Sequence, residues 1–275
     1  MVEKALLKPL LESYQLSVTH LQNFLTVVDA GPHAFLERNF LRFPEPKSPS
    51  GVFGSAFHST IQRIYEKLKH TQALPELAEV EEWFKHFLKD GRLNERETEM
   101  LAKRGLKALE FFYTVKRDSF SAQDRIELNF KTQGVVIGDA HLTGKIDRLS
   151  QKNQEMIVCD LKTGKAIASW EPADAYEKIK AWKYRQQLAF YKLLVENSRD
   201  FGGKYQVKQG VIEFVEPMRG KLIDLTLDID QVQVERLQKL IEVVYKKIIN
   251  LDFPDISKYS KDMMGILQFE EDLLK

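Results

Sequence analysis

Two strand-like segments, each ending on an acidic residue and joined by a short polar stretch, constrain this chain most. The first, LTGKID (142–147), alternates. Leu142, Gly144 and Ile146 fall on one side and Thr143, Lys145 and Asp147 on the other, the period of a half-buried strand. A polar turn, SQKNQE (150–155), follows, and the chain returns as Met156-Ile157-Val158-Cys159. That apolar run has the length of a central strand; it ends on Asp160-Leu161-Lys162 and is broken by Thr163-Gly164. Side chains two apart in a strand share a face, so Asp160 and Lys162 project together while Leu161 points into the opposite layer. If the two strands form a hairpin, Asp147 lies close to Asp160. Neighbouring carboxylates repel unless a cation or a proton sits between them, and their oxygens suit hard ions such as Mg²⁺ or Mn²⁺. A surface hairpin with a salt bridge would also contain Asp-x-Lys. The apolar residues just before it, however, demand a reason for a charged pair at that strand end.

The flanking segments supply further candidates. A helix of about 18 residues is predicted over 52–69, with Phe53, Phe57, Ile61, Ile64 and Leu68 at helical spacing. His58 lies beside that stripe and on its own reads as an ordinary helix histidine. Downstream, SWEPADAYEKIK reads as a loop entering a helix, with Pro172 near the first turn. Lys180, Tyr184, Gln187 and Tyr191 form one stripe of that helix. Its second half is apolar nearly all round and belongs inside; Gln187 and Tyr191 read equally as hydrogen-bonded core polar residues.

Taken together, FGSAFH, GKIDR, DLKTGK and QLAFY, in that order between Gly54 and Tyr191, resemble the RecB-type branch of the PD-(D/E)XK nucleases. The resemblance implies a restriction-endonuclease-like α/β fold, a mixed central sheet flanked by helices, with a helical N-terminal layer delivering His58. It implies a metal-dependent deoxyribonuclease of DNA repair or recombination, with DNA as substrate and a helicase domain or subunit as a possible partner. His58, Asp147, Asp160 and the main-chain carbonyl of Leu161 would hold Mg²⁺ or Mn²⁺. Lys162 would orient the attacking water, Gln187 the catalytic groups, and Tyr191 would brace the site or contact a phosphate. Some members of the branch carry an iron–sulfur cluster. Here Gly31-Pro32 stands where they have Cys-Pro, and Cys159 is the single cysteine, so no such cluster is expected.

The other segments read as scaffold. A short amphipathic helix is expected over 3–13, and Ser17 is placed to cap the next one, from about Val18. His20 and His33 read as packing or surface residues, and PEPKSPSG (44–51) as a turn-rich connector. Helices over 75–90 and 94–117 look like core and carry no assigned chemistry. Period-two segments begin near Ser121: Ile126, Leu128 and Phe130 on one face, then Val135-Val136-Ile137. Glu127 falls on the opposite face, where a solvated carboxylate and the glutamate often seen near there in the family are both open. Strands over 205–215 and 221–228 and a helix over 230–250 complete the core. One domain covers 1–275: a helical layer (1–120), an α/β core (121–250) and a tail (251–275).

Charge and motif content narrow the function classes. Forty-one basic against forty acidic residues give a net charge of +1, so any DNA-binding face is local. Lys178, Lys180, Lys183 and Arg185 are the best local basic patch. The absence of an apolar run near the roughly 18 residues needed to span a bilayer, or of a signal-peptide core, predicts a cytoplasmic protein without a membrane partner. GDAHLTGKI (138–146) imitates a phosphate loop. It has five residues between its glycines where a Walker motif has four, and Ile146 where that motif has Ser or Thr. Two rival functions fit less well. A non-catalytic nuclease-like module, binding DNA or a partner, would not need the metal ligands, and an enzyme of small phosphoesters would want a glycine-rich phosphate cradle.

Overall fold

The computed structural model describes the chain apart from Met1, Lys47, Asn153 and Gln154. In chain order the strands are β1 (Arg125–Asn129), β2 (Val136–Ile137), β3 (Ala140–His141), β4 (Lys145–Lys152), β5 (Glu155–Lys162), β6 (Gln206–Phe214) and β7 (Asp224–Asp228). Among the described residues β1, β4, β5, β6 and β7 form one mixed sheet in that spatial order, flanked by helices on both faces, the α/β architecture expected. β5 lies at its centre, antiparallel to β4 and parallel to β6. A strand covered on both faces needs apolar residues at successive positions, which is why 156–159 lacks alternation. The centre of the turn expected over 150–155 lies outside the described residues; β4 and β5 extend to its edges.

The helices are α1 (Val2–Glu12), α2 (Val18–Leu25), α3 (Gly31–Phe35), α4 (Pro49–Thr71), α5 (Leu77–Asp90), α6 (Glu95–Lys116), α7 (Ala175–Glu196), α8 (Gln231–Ile249) and α9 (Met263–Leu273). Two hydrophobic clusters divide them. On one sheet face α2, α3, α7, α8 and α9 pack against Met156, Val158 and Ile212. On the other, α4, α5 and α6 form a second cluster that takes Leu161 and Val215. β5 thus feeds alternate side chains to two cores. α7 carries the chain over the first face between the parallel strands β5 and β6, as a parallel pair requires. Its eight residues from Leu188 to Val195 are all buried.

Several local expectations shift. α4 starts at Pro49, inside the expected connector, because the Ser48 hydroxyl accepts the Gly51 N–H at 3.1 Å and Pro49 suits the first turn. α7 starts only at Ala175, capped by Asp174, so Pro172 precedes the helix instead of opening it. β2 pairs with β3 in a separate ribbon, not with the central sheet. The largest change is in β1. Ile126 and Leu128 were expected on one face; Ile126 packs with α4–α6 and Leu128 with the main core. Between them Glu127 has φ +54°, a left-handed backbone that breaks the period-two pattern and costs a non-glycine residue about 1–2 kcal/mol. Ser17 does cap α2, accepting the His20 N–H at 3.2 Å.

α4, α5 and α6 pack very closely. A Cβ built on Gly105 of α6 would lie 2.2 Å from Phe84 Cζ and 3.0 Å from Phe53 Cε2, both buried rings. Gly105→Ala is therefore expected to destabilise the protein by roughly 1–3 kcal/mol, although alanine favours a helix interior by about 1 kcal/mol. A denaturant melt checks this; a stabilised variant would contradict the packing of α6.

Candidate active site

The β4–β5 register pairs Arg148 with Cys159, and its next step sets Asp147 opposite Asp160. There the ladder stops, and Asp147 Oδ2 accepts the Leu161 N–H at 2.8 Å. Asp160 is buried, and two residues one turn apart on α7 hold its Oδ1: Gln187 Nε2 at 2.6 Å and the Tyr191 hydroxyl at 2.9 Å. Gln187 also donates to the Tyr191 oxygen at 2.9 Å and accepts from Lys162 Nζ at 2.8 Å. Lys162 Nζ lies 2.7 Å from Asp160 Oδ2, and its ammonium also sits 5.2 Å from the centre of the Tyr184 ring. Asp160 and Lys162 thus project together toward α7, while the Leu161 side chain is buried in the α4–α6 cluster.

His58 arrives from the other side. A Cβ on Gly54, one turn earlier in α4, would lie 3.1 Å from Thr163 Oγ1, so the helix sits against the end of β5. From there His58 Nδ1 lies 3.4 Å from Glu127 Oε1 and 3.5 Å from Asp147 Oδ1. The ligand atoms of His58, Glu127 and Asp147 all fall within 4.8 Å of one another. A cleft of about 520 Å³, lined by these three with Ser59, Gln62 and Lys145, opens onto them.

Glu127 is the residue that sequence reasoning left undecided. It is only slightly exposed, with its carboxylate between His58 and the ammonium of Lys145. The uniform β1–β4 register aligns Glu127 with Asp147, a signal that becomes visible only once those strands are known to pair. The lysines and arginine of the expected basic patch are largely engaged: Lys183 with Asp29 at 3.7 Å, Arg185 with Glu171, and Lys180 with the Lys165 carbonyl at 3.2 Å. His20 stacks on Tyr14, and Cys159, buried against Arg148, has its thiol pushed up to about 12 and so stays neutral.

The donor set suits a hard divalent ion. One imidazole and carboxylate oxygens converge, and nearby Asp160 Oδ2 is buried with the Lys162 ammonium at 2.7 Å. The protonation equilibria show the same strain. Burial and the nearby Asp160 push Asp147 up to about 7. For His58, burial opposes the charged form, but the Glu127 hydrogen bond and the fields of Asp147, Asp160 and Glu127 outweigh it, so the pKa rises. Glu127, despite burial, is held low by His58 and Lys145.

A model of the PD-(D/E)XK nuclease superfamily matches residues 15–259. The chain belongs to that superfamily. Curated proteins gave no significant match. The central sheet with its flanking helices is accordingly restriction-endonuclease-like, and membership makes the protein a nuclease-type phosphodiester hydrolase of a class that generally uses divalent metal. Among the described residues no helix is long and apolar enough to cross a membrane.

A pH prediction follows for the metal-free nuclease. Asp147 and His58 both bind protons more tightly folded than unfolded, so their contribution to stability is present in acid and is lost as pH rises. For Asp147 the loss runs from about 4 to about 7. In chelator, the melting temperature should fall across that window, and Asp147→Asn should flatten the slope. An unchanged slope in the variant would remove Asp147 as its source.

Proposed function

We propose that this nuclease is a Mg²⁺- or Mn²⁺-dependent deoxyribonuclease of the RecB type. It hydrolyses DNA phosphodiester bonds in repair or recombination and works with a helicase domain or subunit. The observation that carries the reading is the meeting of Asp147, Asp160 and Lys162 from one hairpin with His58 from α4 and Gln187 from α7. The helicase context rests on the order of the four motifs alone. A single domain, with the helical layer and the tail both packed onto the α/β core, is part of the same proposal.

In the proposed mechanism Asp147, Asp160, His58 and Glu127 would hold the ion, with the Leu161 carbonyl as a further ligand. A divalent cation bound there would supply polarisation of the scissile phosphate and a lowered pKa for an attacking water. Gln187 and Tyr191 keep Asp160 oriented by occupying Oδ1, while Oδ2 faces the Lys162 ammonium. Lys162, a donor without a lone pair, cannot bind metal while protonated. It positions the water and offsets charge developing on the phosphate oxygens. Lys162 is itself fixed by Gln187 and by the Tyr184 ring, so its ammonium enters the reaction already oriented.

Two measurements test the proposal. Mg²⁺ or Mn²⁺ should raise the melting temperature by binding the native state, and the double variant Asp147→Ala, Asp160→Ala should lose that shift; retention of the shift would sink the metal site. Lys162→Ala should cut linear or circular DNA more slowly by on the order of 10²- to 10³-fold. DNA affinity, measured in Ca²⁺, should change far less, because it rests on scattered phosphate contacts. A variant that cuts at the parental rate would refute the role of Lys162. A parent that binds DNA but cuts none of it with any metal would favour the non-catalytic module.

A further inference from the structure

Two lysines stand on the acidic cluster, and their circumstances differ. Lys162 is held on three sides, by Asp160 Oδ2 at 2.7 Å, Gln187 Oε1 at 2.8 Å and the Tyr184 ring. Lys145 comes two residues before Asp147 on β4, so the two side chains project from one face of the sheet. Its ammonium has a single ion-pair partner among the described residues, Glu127 Oε2, and its side chain is 54% exposed. It is also the one lysine or arginine among the described residues lining the cleft over His58, Glu127 and Asp147. Lys162 is locked in place, whereas Lys145 is tethered by one contact and free to swing.

That contact falls on a carboxylate with both oxygens engaged. Glu127 Oε1 lies 3.4 Å from His58 Nδ1, and Oε2 carries Lys145. The Glu127 side chain is only 9% exposed, so its charge is screened less than a surface carboxylate's. The ligand atoms of His58, Glu127 and Asp147 lie within 4.8 Å of one another, and a divalent ion seated among them would meet the Lys145 ammonium at close range. Like charges a few ångströms apart in a partly buried site repel strongly. Beside Glu127 the site therefore favours Lys145 or the ion, one at a time. A half-exposed lysine gives up such a pair at little cost. Nucleic acid in the cleft offers it a new partner, because phosphates are the anions that a freed ammonium meets there.

We infer that Lys145 is an internal cation that holds Glu127 in the metal-free protein and passes to a phosphate of the substrate as a divalent ion binds. The inference rests on the metal-dependent nuclease reading of the acidic cluster and adds to it a coupling between the two ligands. DNA that draws Lys145 away strengthens metal binding, and metal that expels Lys145 strengthens DNA binding by the same factor. Lys162 takes no part in the exchange, because Asp160, Gln187 and Tyr184 keep it in place.

Calorimetric titration of the full chain with Ca²⁺, alone and with a short DNA duplex, tests this once Ca²⁺ binding to the duplex itself is subtracted. Lys145→Met keeps the length of the side chain and removes its charge at an exposed position, so the thermal melt in chelator should stay close to the parent's. Without DNA, Lys145→Met should bind Ca²⁺ roughly three- to tenfold more tightly than the parent. With DNA the two affinities should converge, because the parent's lysine has already left Glu127. Lys145→Arg, which keeps the charge, should behave as the parent. In a Glu127→Gln background, Lys145→Met should alter Ca²⁺ affinity by less than about twofold, which separates the specific pair from a general field. Equal Ca²⁺ affinity of parent and Lys145→Met without DNA would overturn the inference. A gain that persists with DNA, or in the Glu127→Gln background, would overturn it too. A parent that binds Ca²⁺ but is indifferent to Lys145 loses this inference alone; a parent that binds none, with or without DNA, loses the metal site as well.

Discussion

The structure depends on holding two carboxylates, Asp147 and Asp160, together at the buried end of a strand pair. Left alone they would repel, and burial would drive one to protonate, as the rise of Asp147 to about 7 records. The fold manages the conflict by giving each a separate set of donors. Asp147 takes a main-chain N–H from the other strand and the imidazole of His58. Asp160 takes Gln187, Tyr191 and the charge of Lys162. The cost of this arrangement is carried by the metal-free protein, and a divalent cation bound there would relieve it. Stability and function therefore pull on the same few atoms.

Supporting that point is a second buried charge system one residue away. Arg148 Nη2 reaches across β5 to Glu213 of β6 at 2.9 Å, and Lys116 of α6 reaches the same carboxylate oxygen at 3.0 Å. The guanidinium also contacts Cys159 and the Tyr65 hydroxyl, at 3.1 and 3.4 Å. Breaking a buried pair by deleting one partner is usually strongly destabilising, because the survivor is left uncompensated. The network ties β4 to β6, and α4 and α6 to both, so the strand that presents Asp147 and the helix that presents His58 share one anchorage. Asp147 is thus flanked by a structural charge, Arg148, that ties its strand to β6.

Helix packing sets the rest of the geometry. Gly54 lets α4 approach Thr163, and Gly105 lets α6 approach Phe84 and Phe53. Close approach brings α4 near enough for a histidine to meet two strand carboxylates.

The sequence by itself determined the hairpin, the Asp160–Lys162 face and the α7 stripe. All three follow from short periods, two in strands and 3.6 in helices, and from an apolar run too continuous for a surface strand. The order of four motifs carried the superfamily. Only tertiary structure decided the fate of Glu127. Alternation put it on the face opposite Ile126 and Leu128 and left its role open; the left-handed backbone at Glu127 accompanies a carboxylate turned toward His58 and Asp147. Local pattern cannot reveal that turn, because the backbone energy against it is offset by charges that arrive from a helix 69 positions earlier in the chain. Periodicity fixes which residues share a face; only packing among distant segments fixes what that face meets.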